Sequence, residues 1–249
     1  MNKIAIVQAR MNSSRLPGKA LLDLDGKPAL ERVVSRLKKC KLVDDIIIAT
    51  TPTSNEIIAW CSANKVRFFV GNESDVLGRV FAAAEPADII IDITADCPLI
   101  DHEVVDLCIE TMLDQKLDYV SNTIIRTYPD GFDVQVYSYK VLMELDRVVE
   151  NKTHRKHTGW NVLEYMEIFD ANKFVNGLHI GNITADEEYQ YPDIRVTLDT
   201  EEDYLLLEAI FEHFQRHDFG YKQVIDLLKS RPSLLEINKN IKAKIPGEG

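Results

Sequence analysis

One stretch of this sequence concentrates groups that bind anions. Gln8-Ala9-Arg10-Met11-Asn12-Ser13-Ser14-Arg15-Leu16-Pro17-Gly18-Lys19 carries three cations, Arg10, Arg15 and Lys19, with two adjacent hydroxyls and a glycine directly after proline. Arginine offers two-pronged contacts to phosphate oxygens and lysine a point charge. A loop between a strand and a helix also presents backbone N–H groups that together form an anion nest. Ala9, Arg10, Ser13, Ser14, Arg15 and Lys19 are therefore candidate nucleotide-binding residues. Three cations suit a triphosphate better than a carboxylate. The loop is neither a Walker A motif, which needs GxxxxGK followed by Ser or Thr, nor a GxGxxG dinucleotide fingerprint.

Such a loop works only if regular elements hold it. Lys3–Gln8 before it is a short apolar run, as a strand buried on both faces requires. Helical spacing follows at 28–39, with Pro28 suited to a first turn. Strands are expected at Asp45–Thr50, 66–70, 88–93 and 117–121, alternating with helices at 56–64, 75–84 (Ser74 as cap) and 101–115. The alternating stretch 132–137 reads as an edge or hairpin strand, 194–198 as another strand, and 201–217 as a helix capped by Thr200. A final helix is expected at 221–229, and the polar last ten or so residues are expected to fray. This βαβα rhythm predicts an α/β, doubly wound, mostly parallel sheet. In such sheets ligands sit beyond the carboxyl ends of strands. That rule selects loops 9–19, 50–55, 71–75 and 94–101.

QARMNSSRLPGKAL resembles the signature loop of the bacterial sugar cytidylyltransferases, relatives of CMP-KDO synthetase and CMP-acylneuraminate synthetase, and most of all their SpsF-like spore-coat polysaccharide branch. FVGNESDVLGRV, ITADCPLID, YPDGFDVQVY and VTLDTEEDY follow in the family's order over residues 3–205. The resemblance implies a nucleotide-diphospho-sugar transferase fold with a small β-containing dimerisation or acceptor insertion. It implies one domain over 1–249, with 122–190 as the acceptor-binding or dimerisation subregion. The implied reaction is Mg²⁺-dependent transfer of CMP from CTP to a sugar, a KDO- or nonulosonate-like acid, with release of pyrophosphate, in a homodimer serving surface polysaccharide synthesis.

Nucleotidyl transfer needs a divalent ion to neutralise phosphate charge. Mg²⁺ favours one or two protein carboxylates plus phosphate oxygens and water. Asp96, in Ala95-Asp96-Cys97-Pro98, follows the fourth strand and is the natural first ligand. It is taken with Arg10, Arg15 and Lys19 as catalytic. A capping box accounts for Thr200 and Asp203 but leaves Asp199 without a structural task. The resemblance makes Asp199 a second metal ligand. It also carries Arg79 to the nucleotide or the sugar. Asp133 and Gln135 share one face by alternation and fit either sugar hydroxyls or a polar hairpin edge. The cluster His154, Arg155, Lys156 and His157 fits either an acidic group of the acceptor or a solvated helix face. Here the sequence reads KHTG where many SpsF-like proteins have EHVT, so the acceptor is left open.

Lys and Arg number 29 against 40 Asp and Glu, a net charge of −11. That excludes a general nucleic-acid binder and a basic membrane-surface protein. The first 41 residues nevertheless carry ten Lys or Arg against three Asp or Glu, a local +7 inside an acidic chain. No run approaches the roughly 18 apolar residues of a membrane span. The N-terminus lacks a signal-peptide pattern, so cytoplasmic residence is expected. Cys40, Cys61, Cys97 and Cys108 show no metal or disulfide spacing. Rival readings are another nucleotide or a phosphorylated acceptor, a glycosyltransferase, and a sugar- or nucleotide-binding homologue without catalysis. Asp23-Leu24-Asp25 has the spacing of a glycosyltransferase metal motif but sits before the first helix, the wrong place for one.

Overall fold

The computed structural model describes residues 1–85, 87–158, 178–215 and 218–242. Gly159, Trp160, His217, the tail from 243 onward and the 159–177 part of the 122–190 subregion lie outside the described residues. Among the described residues seven strands, β1 (Lys3–Gln8), β2 (Asp45–Thr50), β3 (Arg67–Val70), β4 (Ile89–Thr94), β5 (Tyr119–Ser121), β6 (Gln135–Ser138) and β7 (Ile180–Asn182), form one sheet in the order β3-β2-β1-β4-β6-β5-β7. Only β6 runs against the others. The helices among the described residues are α1 (Ala29–Leu37), α2 (Asn55–Ala63), α3 (Val76–Ala83), α4 (His102–Gln115), α5 (Tyr139–Val148), α6 (Glu201–Phe214) and α7 (Tyr221–Ser230). None is long and apolar enough to cross a membrane.

Side chains alternate across each strand, so a strand buried on both faces feeds two cores. Ala5 and Val7 of β1 and Ile46 and Ile48 of β2 join one core, against α1, α4, α6 and α7 (Leu30, Val105, Leu206, Val224). Ile4, Ile6, Ile47 and Ala49 join the other, against α3 and α5 (Leu77, Val80, Leu142, Leu145). Helices on both faces make the fold doubly wound and mostly parallel, as the sequence predicts. The chain winds outward from β1 to β2 and β3 on one side, then crosses to β4 on the other. The switch point therefore lies between β1 and β4, where Gln8 pairs with Thr94. The carboxyl ends of these two strands deliver loops 9–19 and 94–101 side by side.

Several local expectations change. The 132–137 stretch supplies an interior strand, because β6 is flanked by β4 and β5 and its Val136 and Tyr137 face opposite cores. Residues 194–198 form no ladder. Their backbone bonds go to loops instead: Val196 N–H to Asp130 O at 2.7 Å and Leu198 N–H to Asp96 O at 2.8 Å, with one bridge, Asp130 to Arg195. Helix α3 is capped by Asp75, which accepts from Gly78 N–H, while Ser74 binds Asn72. Pro28 occupies the N-cap of α1 rather than its first turn. Thr200 and Asp203 form the expected capping box of α6.

Gly131 is required where the turn at 128–133 meets this irregular segment. Its φ is +116°, and a Cβ there would stand 2.6 Å from the Val196 carbonyl carbon. Gly131→Ala is expected to cost at least about 2 kcal/mol through strain and overpacking together. Urea unfolding of the two proteins measures it.

Candidate functional site

The first loop closes on itself. Met11 O accepts from Ser13 N–H at 3.0 Å and Gly18 N–H at 2.9 Å, and Gly18 takes the left-handed conformation (φ 74°) that leads into Lys19. Met11 N–H donates to Ser54 Oγ at 3.0 Å. The Asn12 amide donates to Thr53 at 3.1 Å and Glu73 at 3.0 Å. The loop is thereby hooked to those following β2 and β3. Ala9 continues the sheet, its N–H donating to Ala49 O, while Arg10 is exposed.

Lys19 is 8% exposed. Its ammonium pairs with Asp96 at 2.8 Å and with Asp199 at 2.5 Å. Arg15 reaches the other Asp199 oxygen at 2.9 Å. Burial works against the charge on Lys19, but Asp96 and Asp199 outweigh it and hold its pKa above the ordinary lysine value. Burial likewise works against the Asp199 carboxylate, yet Lys19, Arg195 and Arg15 hold its pKa below the usual range. Asp96, Asp199, Arg15 and Lys19 are thus brought together from three separate stretches of chain.

Beside this cluster lies a cavity of about 210 Å³, whose walls include Asp92, Asp96, Asp130, Asp133, Gln135, Lys156 and His157. Asp133 is bound two-pronged by Arg126 at 2.6 and 2.7 Å. Tyr119 OH donates to Gln135. Burial, then Asp133, pushes the Asp130 carboxyl up to about 6 against the pull of Arg195. Asp92 sits inside β4, buried, on the face it shares with Ile90 and Thr94. It accepts from Gln8 at 2.6 Å, from Tyr137 OH at 2.8 Å and from Thr158. His154, Arg155 and Lys156 form one 3-10 turn rather than a helix face. Arg155 is spent on Asp75 and Asp146, while Lys156 and His157 reach the cavity wall and His154 does not. Burial, with Lys156 and His154 adding to it, lowers the His157 pKa. Arg79 is 3% exposed and donates to the Asn72 and Glu73 carbonyls, bracing loop 71–75. Ser14 is exposed on the loop and Ser13 half-buried.

A larger cavity, about 270 Å³, opens between α1 and the N-termini of α4 and α7. Four of the backbone N–H groups at these helix starts are already taken. Asp101 accepts from Glu103, Val104 and Tyr221, and Gln223 accepts from Gly220. The smaller cavity, with the Lys19 cluster at its edge, is the candidate site.

Among the described residues no group of three or more His, Cys, Asp or Glu could hold a metal ion. Asp96 and Asp199 instead converge on one cation, here the Lys19 ammonium. Two carboxylates facing one positive charge are the donor set that suits a divalent ion completed by phosphate oxygens and water.

Sequence reasoning passed over Arg195, Asp130 and Asp92. Arg195 had a signal: Arg195, Thr197 and Asp199 alternate with the apolar Val196 and Leu198. Asp92 had none, because its partners lie 45 to 84 residues away.

The sequence model of the cytidylyltransferase family matches residues 4–225. An uncharacterized protein of Methanocaldococcus jannaschii is 33% identical over 98% of this chain and 97% of its own length. The spore coat polysaccharide biosynthesis protein SpsF of Bacillus subtilis is 31% identical over 93% of this chain and 96% of its own. A solved cytidylyltransferase from Leptospira borgpetersenii superposes with a TM-score of 0.85 at 28% identity, covering 98% of this chain and all of that one.

Two outcomes follow from the charge arrangement. Lys19→Met is expected to cost about 1–3 kcal/mol at pH 7, since it leaves the Asp96 carboxylate without its paired cation, beside an Asp199 still held by Arg15 and Arg195. Asp199 has a depressed pKa, so its contribution to stability is present above the unfolded carboxyl value of about 3.9 and lost as pH falls below it. The gap between wild type and Lys19→Met should therefore narrow below about pH 4, as read by urea unfolding at pH 7, 5 and 3.5. Burial also raises the Cys97 thiol far above its ordinary value, so iodoacetamide at pH 7.5 should leave Cys97 unmodified in the folded protein and label it after unfolding.

Proposed function

The chain belongs to the cytidylyltransferase family, and we propose that it transfers CMP from CTP to a hydroxyl of a sugar acid in a Mg²⁺-dependent reaction that releases pyrophosphate. Its activity is that of a CTP-using nucleotidyltransferase. The observation that carries the finer reading is the meeting of Lys19, Asp96 and Asp199 at the β1–β4 switch point, beside a polar cavity.

Arg10, Arg15 and Lys19 bind the triphosphate and stabilise the charge that grows on the leaving pyrophosphate, as preorganised cations do. Asp96 and Asp199 would hold Mg²⁺, which when bound neutralises phosphate oxygens and lowers the pKa of the attacking hydroxyl. The hydroxyl oxygen forms a bond to the α-phosphorus as the bond to the β-phosphate oxygen breaks, and the hydroxyl proton is released. No covalent enzyme intermediate is required. Arg79 shapes the nucleotide end by bracing loop 71–75.

The acceptor occupies the cavity beside Asp96. Asp133 and Gln135 meet its hydroxyls, and Lys156 and His157 meet its carboxylate. The pairing of most of the cavity's acids, Asp96 with Lys19, Asp130 with Arg195 and Asp133 with Arg126, supports admission of an anion. The same Lys156 and His157 also favour a second reading, a phosphorylated acceptor. On this proposal residues 1–249 act as one catalytic domain, 122–190 forms the acceptor side, and the active assembly is a homodimer. The name of the Bacillus subtilis relative supports surface polysaccharide as the destination of the product.

Pyrophosphate release from CTP, measured across sugar acids and sugar phosphates with and without Mg²⁺, tests the acceptor and the ion. UTP, ATP and GTP should not replace CTP. Lys19→Ala and Asp96→Asn should each lower turnover by on the order of 10²-fold or more. Near-wild-type release by Asp96→Asn at saturating Mg²⁺ and CTP overturns the metal role.

A further inference from the structure

Arg195 binds three carboxylates at once. Its Nη1 donates to Asp130 at 2.6 Å, its Nη2 to Asp199 at 2.9 Å and to Asp203 at 3.0 Å, and its Nε to Asp203 at 3.1 Å. Only a planar guanidinium can address three partners in fixed directions; an ammonium has no such fork.

The three carboxylates are not held alike. Asp203 is fully buried, and it accepts from the backbone N–H groups of Asp199 and Thr200 and from the Asn238 amide as well as from Arg195. It is an anchor. Asn238 also donates to the carbonyl of Arg195, fixing the backbone from which the side chain springs. Asp130 lies on the turn packed against the Val196 backbone and forms a lateral brace. Asp199 is the exchangeable member. Its other partners, Lys19 and Arg15, come from the first loop, and both have phosphate-binding work to do. When a triphosphate draws those two cations away, Arg195 still holds Asp199.

We propose that Arg195 is a positioning residue, whose fork, anchored on Asp203 and braced by Asp130, orients the Asp199 carboxylate toward the divalent cation. This rests on the reading of Asp199 as a metal ligand. The expected sign is opposite to that of simple charge repulsion. A positive group near a cation site weakens binding, so if Arg195 acted only through its charge, removing it would tighten the metal and replacing it by lysine would change nothing. If it acts by orientation, both changes weaken binding. Loss of a partner that orients a metal ligand costs about 10–100-fold in metal affinity.

The test is titration of the full chain with Mn²⁺, in the presence of a CTP analogue with a methylene α,β-bridge, reading free Mn²⁺ by electron paramagnetic resonance. Arg195→Lys and Arg195→Met are each expected to raise the Mn²⁺ Kd by about 10-fold or more. Values within about twofold of wild type, or tighter binding by Arg195→Met, overturn the proposal. Because Arg195→Met leaves Asp203 buried without its cation, the double variant Arg195→Met/Asp203→Asn is measured beside it. It should regain thermal stability and not Mn²⁺ affinity; recovery of both together would mean a purely structural role and overturn the proposal. Asp199→Asn separates the two layers of inference. If it binds Mn²⁺ like wild type, the assignment of Asp199 as a ligand fails. If it loses Mn²⁺ while Arg195→Lys keeps it, only the role of Arg195 fails.

Discussion

Two carboxylates directed at one point repel each other unless a cation stands between them, and inside a partly buried site that repulsion is screened far less than in water. The meeting of Asp96 and Asp199 on the Lys19 ammonium obeys this constraint, and much of the molecule is arranged around it. Lys19 must come from the first loop, so β1 has to end beside β4. The β1–β4 pairing, in register from Lys3 with Ile89 to Gln8 with Thr94, makes that neighbourhood rigid. Asp199 must arrive from the far end of the chain, so the segment before it abandons the sheet. Its backbone bonds go to Asp96 and Asp130 instead.

The same principle repeats outward from the centre. Asp130 and Asp203 share Arg195, Asp133 has Arg126, and Asp75 and Asp146 share Arg155. Asp92 follows a different rule. Among the described residues its hydrogen bonds come from three neutral donors, two of which, Gln8 at the end of β1 and Thr158, line the cavity. Burial raises its pKa against those bonds. A polar group inside a buried strand is tolerated there because the donors come to it.

The net charge of −11 is a poor guide to what such a protein binds. The first 41 residues hold ten of the 29 Lys and Arg against three acids, and several acids elsewhere are matched by neighbouring arginines. Local field, not the total, decides whether an anionic substrate is accepted. A polyanion as long as a nucleic acid would meet the acidic remainder of the surface, whereas a triphosphate meets one loop.

The doubly wound architecture was legible in the sequence because short apolar runs alternating with amphipathic helices report a sheet covered on both faces. β1 and β2 fall on their expected residues for that reason. The first loop was legible because its chemistry is contiguous: Arg10, Arg15 and Lys19 lie within ten residues. Other features were decided only by tertiary structure. That 132–137 holds an interior strand depends on which neighbours it finds, since alternation is the same at an edge and in the middle. That 194–198 spends its N–H groups on Asp130 and Asp96 depends on loops at least 60 residues away. Above all, the meeting of Asp96 and Asp199 on the Lys19 ammonium, and the grip of Arg195 on three acids, join positions far apart in the chain. Periodicity and local propensity carry no information about such distances. They arise only when the sheet order brings the carboxyl ends of particular strands together.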